Sequence, residues 1–174
     1  MDKKNATKSI NLLEQTALLL APSGTVLDLA CGKGRNGLAL QAEGFQVHYI
    51  DRDPPALDHI AQLAPNSEII CADLESDLPY QLTKLAFDAI LVFRYLHRPL
   101  MPQIIAALKP GGYIVYQTFN HQQATIGRPK NPNFLLNDNE LLDIFKDFAV
   151  IHFFEGFCEI EQAYIAQIIA KKPE

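Results

Sequence analysis

Apolar and polar positions along this chain switch repeatedly between a helical and a strand-like period. "SINLLEQTALLL" places its apolar residues at helical spacing and stops before Pro22. "TVLDLA" then reads as a β run, and "RNGLALQAEG" as a helix with Gly44 at its C-terminal end. "FQVHYID" is the second strand, followed by the helix "DPPALDHIAQLA". Asp53 is the natural N-cap of that helix, and its two prolines suit the first turn. "SEIICAD" is the third strand, and "LESDLPYQLTKL" a weaker helical or loop segment. "FDAILVF" is the fourth strand, "RPLMPQIIAALKP" a helix ending at the turn "KPGG", and "YIVYQTF" the fifth strand.

Such alternation predicts βαβ units, a parallel sheet and helices on both of its faces. The third to fifth strands are apolar almost throughout, as strands buried on both sides must be. The pattern then breaks at "NHQQATIGRPKNPNFLLN", a long polar stretch rich in Pro, Gly and Asn. A connection that long in a compact domain is usually functional or disordered. "DNELLDIFKDF" reads as a helix, and "AVIHFFE" and "AYIAQIIA" as two strands. The link "GFCEIEQ" is too short for a crossover helix, so these two pair antiparallel. The expectation is one α/β domain over residues 1–174, a three-layer sandwich. Residues 1–24 form an N-terminal helix and lead-in, and residues 120–136 a candidate substrate loop.

Composition narrows the setting. A chain of 174 residues fits one domain with one sizeable core. It contains no run of eighteen apolar residues, so no membrane span is expected. "MDKKNATKSINLL" lacks a long apolar core and a small-residue cleavage site, which predicts a cytoplasmic protein. Cys31, Cys71 and Cys158 are scattered and form no CxxC, which predicts reduced, buried thiols and no metal site. The net charge is −5 with Lys and Arg dispersed, which disfavours nucleic acid as a partner.

The turn "GKGRNG", residues 32–37, is a literal G-x-G-x-x-G between a strand and a helix, where a dinucleotide phosphate is expected. Asp28, four residues before Gly32, conflicts with that reading. A carboxylate facing a pyrophosphate at about 4 Å costs roughly 4 kcal/mol at an effective dielectric near 20. A zwitterion with a sulfonium and an ammonium, such as S-adenosylmethionine, reverses the sign, and its carboxylate can meet the helix N-terminus and Arg35. The alternative is that Asp28 only caps backbone amides of the turn. Asp51 ends the second strand, where a carboxylate accepts from ribose hydroxyls in either kind of ligand. Asp73 ends the third strand, where it can accept from an adenine amino group while the Leu74 N–H donates to a ring nitrogen.

"VLDLACGKGRN", "YIDRDPPAL", "ICADL", "FDAILVFRYLHRPL" and "ALKPGGYIVYQTF", in that order, resemble the successive motifs of class I S-adenosylmethionine-dependent methyltransferases. Within them the "CGKGRN" turn and the compact size most resemble small-molecule enzymes of the tellurite-resistance and thiopurine type. The resemblance implies a Rossmann-like sheet of seven strands, mostly parallel, with the last inserted antiparallel. It implies S-adenosylmethionine as cofactor, S-adenosylhomocysteine as product and a small-molecule methyl acceptor, in a monomer or homodimer. By motif, Asp28, Ala30, Gly32, Gly34 and Arg35 would hold the methionine part, Asp51 and Arg52 the ribose, and Asp73 and Leu74 the adenine. Phe93 and Arg94 would line the sulfonium end. The family usually has Gly where this chain has Ala30.

Methyl transfer is an in-line displacement that needs a base only when the acceptor is protonated. Tyr95 and His97 are the candidate bases. His97 can equally be packed in a first helical turn, and Arg98 can bind an anionic acceptor or be a solvated charge. His121, Arg128 and Lys130 can form a substrate lid or a polar connection. Tyr116 and Phe119 can line the pocket, with core as the alternative for Tyr116. Two other functions compete: a non-catalytic S-adenosylmethionine-binding partner or regulatory subunit, and a nicotinamide-dependent oxidoreductase, which this chain leaves no room for.

Overall fold

The computed structural model describes Ser9 and residues 11–174. The basic stretch before them, and with it most of the expected lead-in, lies outside the described residues. Seven strands, β1 (Thr25–Leu29), β2 (Gln46–Asp51), β3 (Glu68–Cys71), β4 (Phe87–Phe93), β5 (Leu108–Phe119), β6 (Ala149–Cys158) and β7 (Ala163–Lys171), form one sheet. Their order is β3-β2-β1-β4-β5-β7-β6. The pairs from β3 to β5 are parallel, and β7 runs antiparallel to both β5 and β6. This is the expected mostly parallel α/β sheet with its last strand inserted antiparallel.

Helices α1 (Leu12–Leu19), α2 (Arg35–Ala42) and α3 (Pro54–Leu63) precede β3, while α4 (Met101–Ala107) and α5 (Glu140–Ile144) follow β4 and β5. Strand side chains alternate between faces, and β1 divides accordingly. Leu27 and Leu29 join a core with Leu100, Ile104, Leu141 and Phe145, whereas Val26 joins Leu12, Leu40, Leu57 and Ile60. The central strands are thus buried between two helical layers, whereas β3, expected to be buried on both sides, is an edge strand with exposed ends; β6 forms the other edge.

Several elements are shorter than the sequence pattern suggests. The helix expected from "RPLMPQIIAALKP" is a 3-10 turn, Arg98–Leu100, followed by α4, each carrying a proline in its first turn. The segment following β3 contains no helix, and "DNELLDIFKDF" folds as only the five residues of α5. Asp53 stands at the N-cap of α3 but makes no side-chain cap bond. Pro55, at the second helical position, removes one of the two N–H groups that such a cap would serve. Cys71 is exposed rather than buried, while Cys31 is half-buried and Cys158 buried.

The long polar segment is anchored. It contains 3-10 turns at His121–Thr125 and Pro132–Phe134. Arg98 clamps its far end: Nη2 donates to the Leu135 carbonyl at 2.9 Å, Nη1 to the Asn133 carbonyl at 3.3 Å, and Nε and Nη2 to Glu140 at 2.6 and 2.8 Å. Arg98 is therefore a clamp rather than a receptor for an anionic acceptor. Burial pushes the Glu140 carboxyl up, but the Arg98 fork and the Asn137 donors outweigh it, and its pKa lies below the ordinary 4.5. A depressed carboxylate stabilises the fold above its ordinary value and loses that contribution as pH falls through the folded one. Glu140→Gln is expected to cost about 1–2 kcal/mol at pH 7, the low end because Arg98 is partly solvated. Thermal melts should show that deficit shrinking below pH 4.5; a deficit of equal size at both pH values contradicts the assignment.

Candidate active site

The turn after β1 is built by backbone geometry. Ala30 and Gly34 have φ of +54° and +73°, and Gly34 begins α2 without a side-chain cap. Alanine in the left-handed region carries roughly 1 kcal/mol of strain that glycine would not. Gly37 is required by packing: a Cβ there would lie 2.8 Å from Asp28 Oδ2 and against the Tyr49 ring. Asp51 Oδ2 accepts the Gly32 N–H at 2.7 Å, and its Oδ1 accepts the Asp53 N–H at 3.0 Å.

Beyond this turn a cavity of about 470 Å³ opens across the carboxyl ends of β1 to β5. Its size is that of a small-molecule site. One side is acidic, formed by Asp51, Arg52, Asp73 and Glu75 with Ala30, Ala72 and Leu74. The other comprises Arg94, Tyr95 and Leu96 after β4, Thr118 and Phe119 at the end of β5, and Pro129 and Phe134 from the long segment. Of the residues singled out in the sequence, Ala30, Asp51, Arg52, Asp73, Leu74, Arg94, Tyr95 and Phe119 meet here.

Others do not. Asp28 is 2% exposed, and its Oδ2 accepts the Gly37 N–H at 2.8 Å. It is the capping alternative that the geometry matches: the side chain serves the first turn of α2 and lies outside the cavity lining. Burial, offset in part by that N–H and reinforced by Asp51, pushes its pKa up to about 7. Gly32, Gly34, Arg35 and Phe93 are also absent from the lining. Arg94, with φ +57°, turns the chain sharply after β4. That turn directs Tyr95 and Leu96 to the cavity and leaves His97 at the start of the 3-10 turn, outside it. His121 sits 3.5 Å from Asp138 and, like Arg128, outside the lining, although Pro129 beside Arg128 belongs to it. Tyr116 is wholly buried in the core and donates to the Tyr95 carbonyl at 2.8 Å.

The Tyr95 hydroxyl is buried, makes no hydrogen bond of good geometry, and has the Glu75 carboxylate as its near neighbour. Burial first, then Glu75 and Asp73, push its phenol pKa up, with Arg52 opposing. At neutral pH Tyr95 thus keeps its proton and can donate it, the reverse of the base considered from the sequence. Cys31 is likewise unreactive: burial and the charges of Asp28 and Asp51 push its thiol up, away from the nucleophilic thiolate.

The donor set fits an adenosyl ligand. Each Asp51 oxygen already accepts one backbone N–H and keeps lone-pair capacity for a sugar diol. Among the described residues no group of three or more His, Cys, Asp or Glu is placed to hold a metal ion, and no helix is long and apolar enough to cross a membrane.

The family model described as tellurite resistance protein TehB matches residues 1–166. The chain belongs to the TehB family. Among curated TehB relatives, the "Probable S-adenosyl-L-methionine-dependent methyltransferase TehB" of Haemophilus influenzae is 25% identical over 168 residues, 92% of this chain and 58% of that protein. "Hemagglutinin 1" of Eikenella corrodens is also 25% identical, over 162 residues, 88% of this chain and 53% of that protein. The chain thus spans just over half the length of these two relatives. The crystal structure of TehB from Haemophilus influenzae superposes with a TM-score of 0.77 at 20% identity, covering 92% of this chain and 61% of that one. That likeness establishes the class I methyltransferase fold for this TehB-family chain.

The lining residues not singled out in the sequence are Ala72, Glu75, Leu96, Thr118, Pro129 and Phe134, the last two within the expected substrate loop 120–136 of this TehB-family chain. Thr118 and Glu75 each lie within two residues of a strand end already marked as important, which was the available signal. Pro129 and Phe134 depend on how the Arg98 clamp folds the long segment back, which no local pattern encodes.

Asp28 provides a test of the turn. Its folded pKa lies above the ordinary 3.8, so the folded state binds more protons between about pH 3.8 and 7 and stability falls as pH rises through that window. The penalty above pH 7 is at most about 4 kcal/mol. Asp28→Asn keeps an acceptor for Gly37 without the charge. The expected result is a melting-temperature advantage for the variant that is larger at pH 8 than at pH 4.5; a pH-independent difference contradicts the burial of a charged group here.

Proposed function

We propose that this chain transfers a methyl group from S-adenosylmethionine to a small-molecule acceptor. The observation that carries the reading is a single cavity whose acidic half fits an adenosyl group and whose other half is apolar with buried hydroxyls, in a member of the TehB family. When bound, S-adenosylmethionine supplies a methyl group on a cationic sulfur, open to in-line attack. Asp51, with Arg52 beside it, would hold the ribose. Asp73 and the Leu74 N–H would hold the adenine, and the turn containing Ala30, Gly32 and Gly34 would border the methionine part.

The remaining lining residues position the acceptor and exclude water, which is most of what this displacement requires of a protein. Pro129 and Phe134 bring the long segment over the cavity. Tyr95 donates a hydrogen bond, so the acceptor it suits carries an exposed lone pair and arrives without a proton to lose. His97, His121 and Arg128, outside the lining, are given no step in this reading.

Calorimetry separates this reading from its rivals. S-adenosylhomocysteine is expected to bind saturably, and reduced nicotinamide dinucleotide to give no binding heat. Asp51→Asn should weaken S-adenosylhomocysteine about 10–100-fold, the range for charged hydrogen bonds to two hydroxyls. Unchanged affinity in that variant, or a preference for the dinucleotide, contradicts the proposal. Tyr95→Phe should leave the melting temperature of the ligand-free protein unchanged or raised, because the lost hydroxyl makes no hydrogen bond of good geometry, Glu75 included. A drop of several degrees would reveal a partner instead.

A further inference from the structure

The acceptor half of the cavity contains a cation that is already engaged. Arg94 stacks on the Phe119 ring, 4.1 Å from its centroid, and its Nη2 is ion-paired with Glu161 in the turn between β6 and β7. The amide of Gln117, a residue 5% exposed, donates to the other oxygen of Glu161. Glu161 does not line the cavity; it acts on the cavity through Arg94. The cavity is lined by three acids, Asp51, Asp73 and Glu75, and two arginines, Arg52 and Arg94, while Glu161 and Arg35 act on Arg94 from outside the lining. Phe119 stacks against Arg94; Leu96, Pro129 and Phe134 are the other apolar residues of this side, and no lysine or histidine is among the lining residues.

We propose that Glu161 sets acceptor specificity: by holding Arg94 it keeps this half of the cavity from taking a carboxylate and selects a neutral, largely apolar acceptor. The inference rests on the reading above, in which the acceptor meets the cavity beside Arg94. A carboxylate entering there must displace Glu161 from Arg94 and also break the Gln117 bond that fixes it. It must do so against the charge of three more acids on the rim. A neutral molecule meets none of these obstacles and gains apolar contact with the two phenylalanines.

Benzoate and benzamide, which share a ring and a carbonyl but differ in charge, are suitable probes. Each is titrated by ligand-observed NMR into the wild type, Glu161→Gln and the double variant Glu161→Gln/Arg94→Gln, with and without S-adenosylhomocysteine. The wild type is expected to bind benzamide at least as tightly as benzoate. Glu161→Gln should bind benzoate about tenfold more tightly than the wild type does, with benzamide unchanged, and the double variant should lose the gain. Glu161→Ala gives the same direction, should the glutamine re-form a bond to Arg94. Benzoate affinity that is unchanged in both single variants, including no binding in any protein, overturns the proposal, as does a gain that survives loss of Arg94. Failure of S-adenosylhomocysteine to bind, with the benzoate gain intact, overturns the cofactor reading and leaves the role of Glu161 standing.

Discussion

Asp51 joins three segments at the mouth of the sheet. Its side chain receives the Gly32 N–H from the turn after β1 and the Asp53 N–H from the entry to α3, while its carbonyl accepts the Ala72 N–H at the end of β3. One residue thereby fixes how three strand ends stand relative to each other, and the acidic half of the cavity is defined by those ends. The rest follows from the parallel sheet. The carboxyl ends of β1 to β5 open on one side, and the left-handed turns at Ala30 and Arg94 bend the chain at the cavity's edge, where both residues line it.

Much of this was legible because it is local. The alternation of periods identified all seven strands, and the position of Asp51 and Asp73 at strand ends placed both in the cavity. Asp28 was legible in position but not in direction. It lies on β1 with neighbours buried on both faces, and only the folded geometry shows its Oδ2 accepting the Gly37 N–H from outside the cavity lining. The electrostatic case for a cationic guest therefore passes from Asp28 to Asp51, Asp73 and Glu75, which line the cavity.

What escaped the sequence is long-range. Arg98 and Glu140 are 42 residues apart, and their pairing turns a polar connection into a wall carrying Pro129 and Phe134. Glu161 lies in an unremarkable turn, yet it pairs with Arg94 of the cavity lining. Neither pair has a periodicity or a motif to announce it. The first brings the long segment to the cavity, and the second ties Arg94 of its lining to a carboxylate outside it. Family membership supplies the fold, and function is argued from this site.

A crystal structure with S-adenosylhomocysteine tests the central claim most directly. The account predicts both ribose hydroxyls on the Asp51 carboxylate, with the Gly32 N–H still on its Oδ2 and the vacated methyl position facing Tyr95 and Arg94. Ribose bound elsewhere, or Asp51 released from Gly32 in the complex, would contradict it.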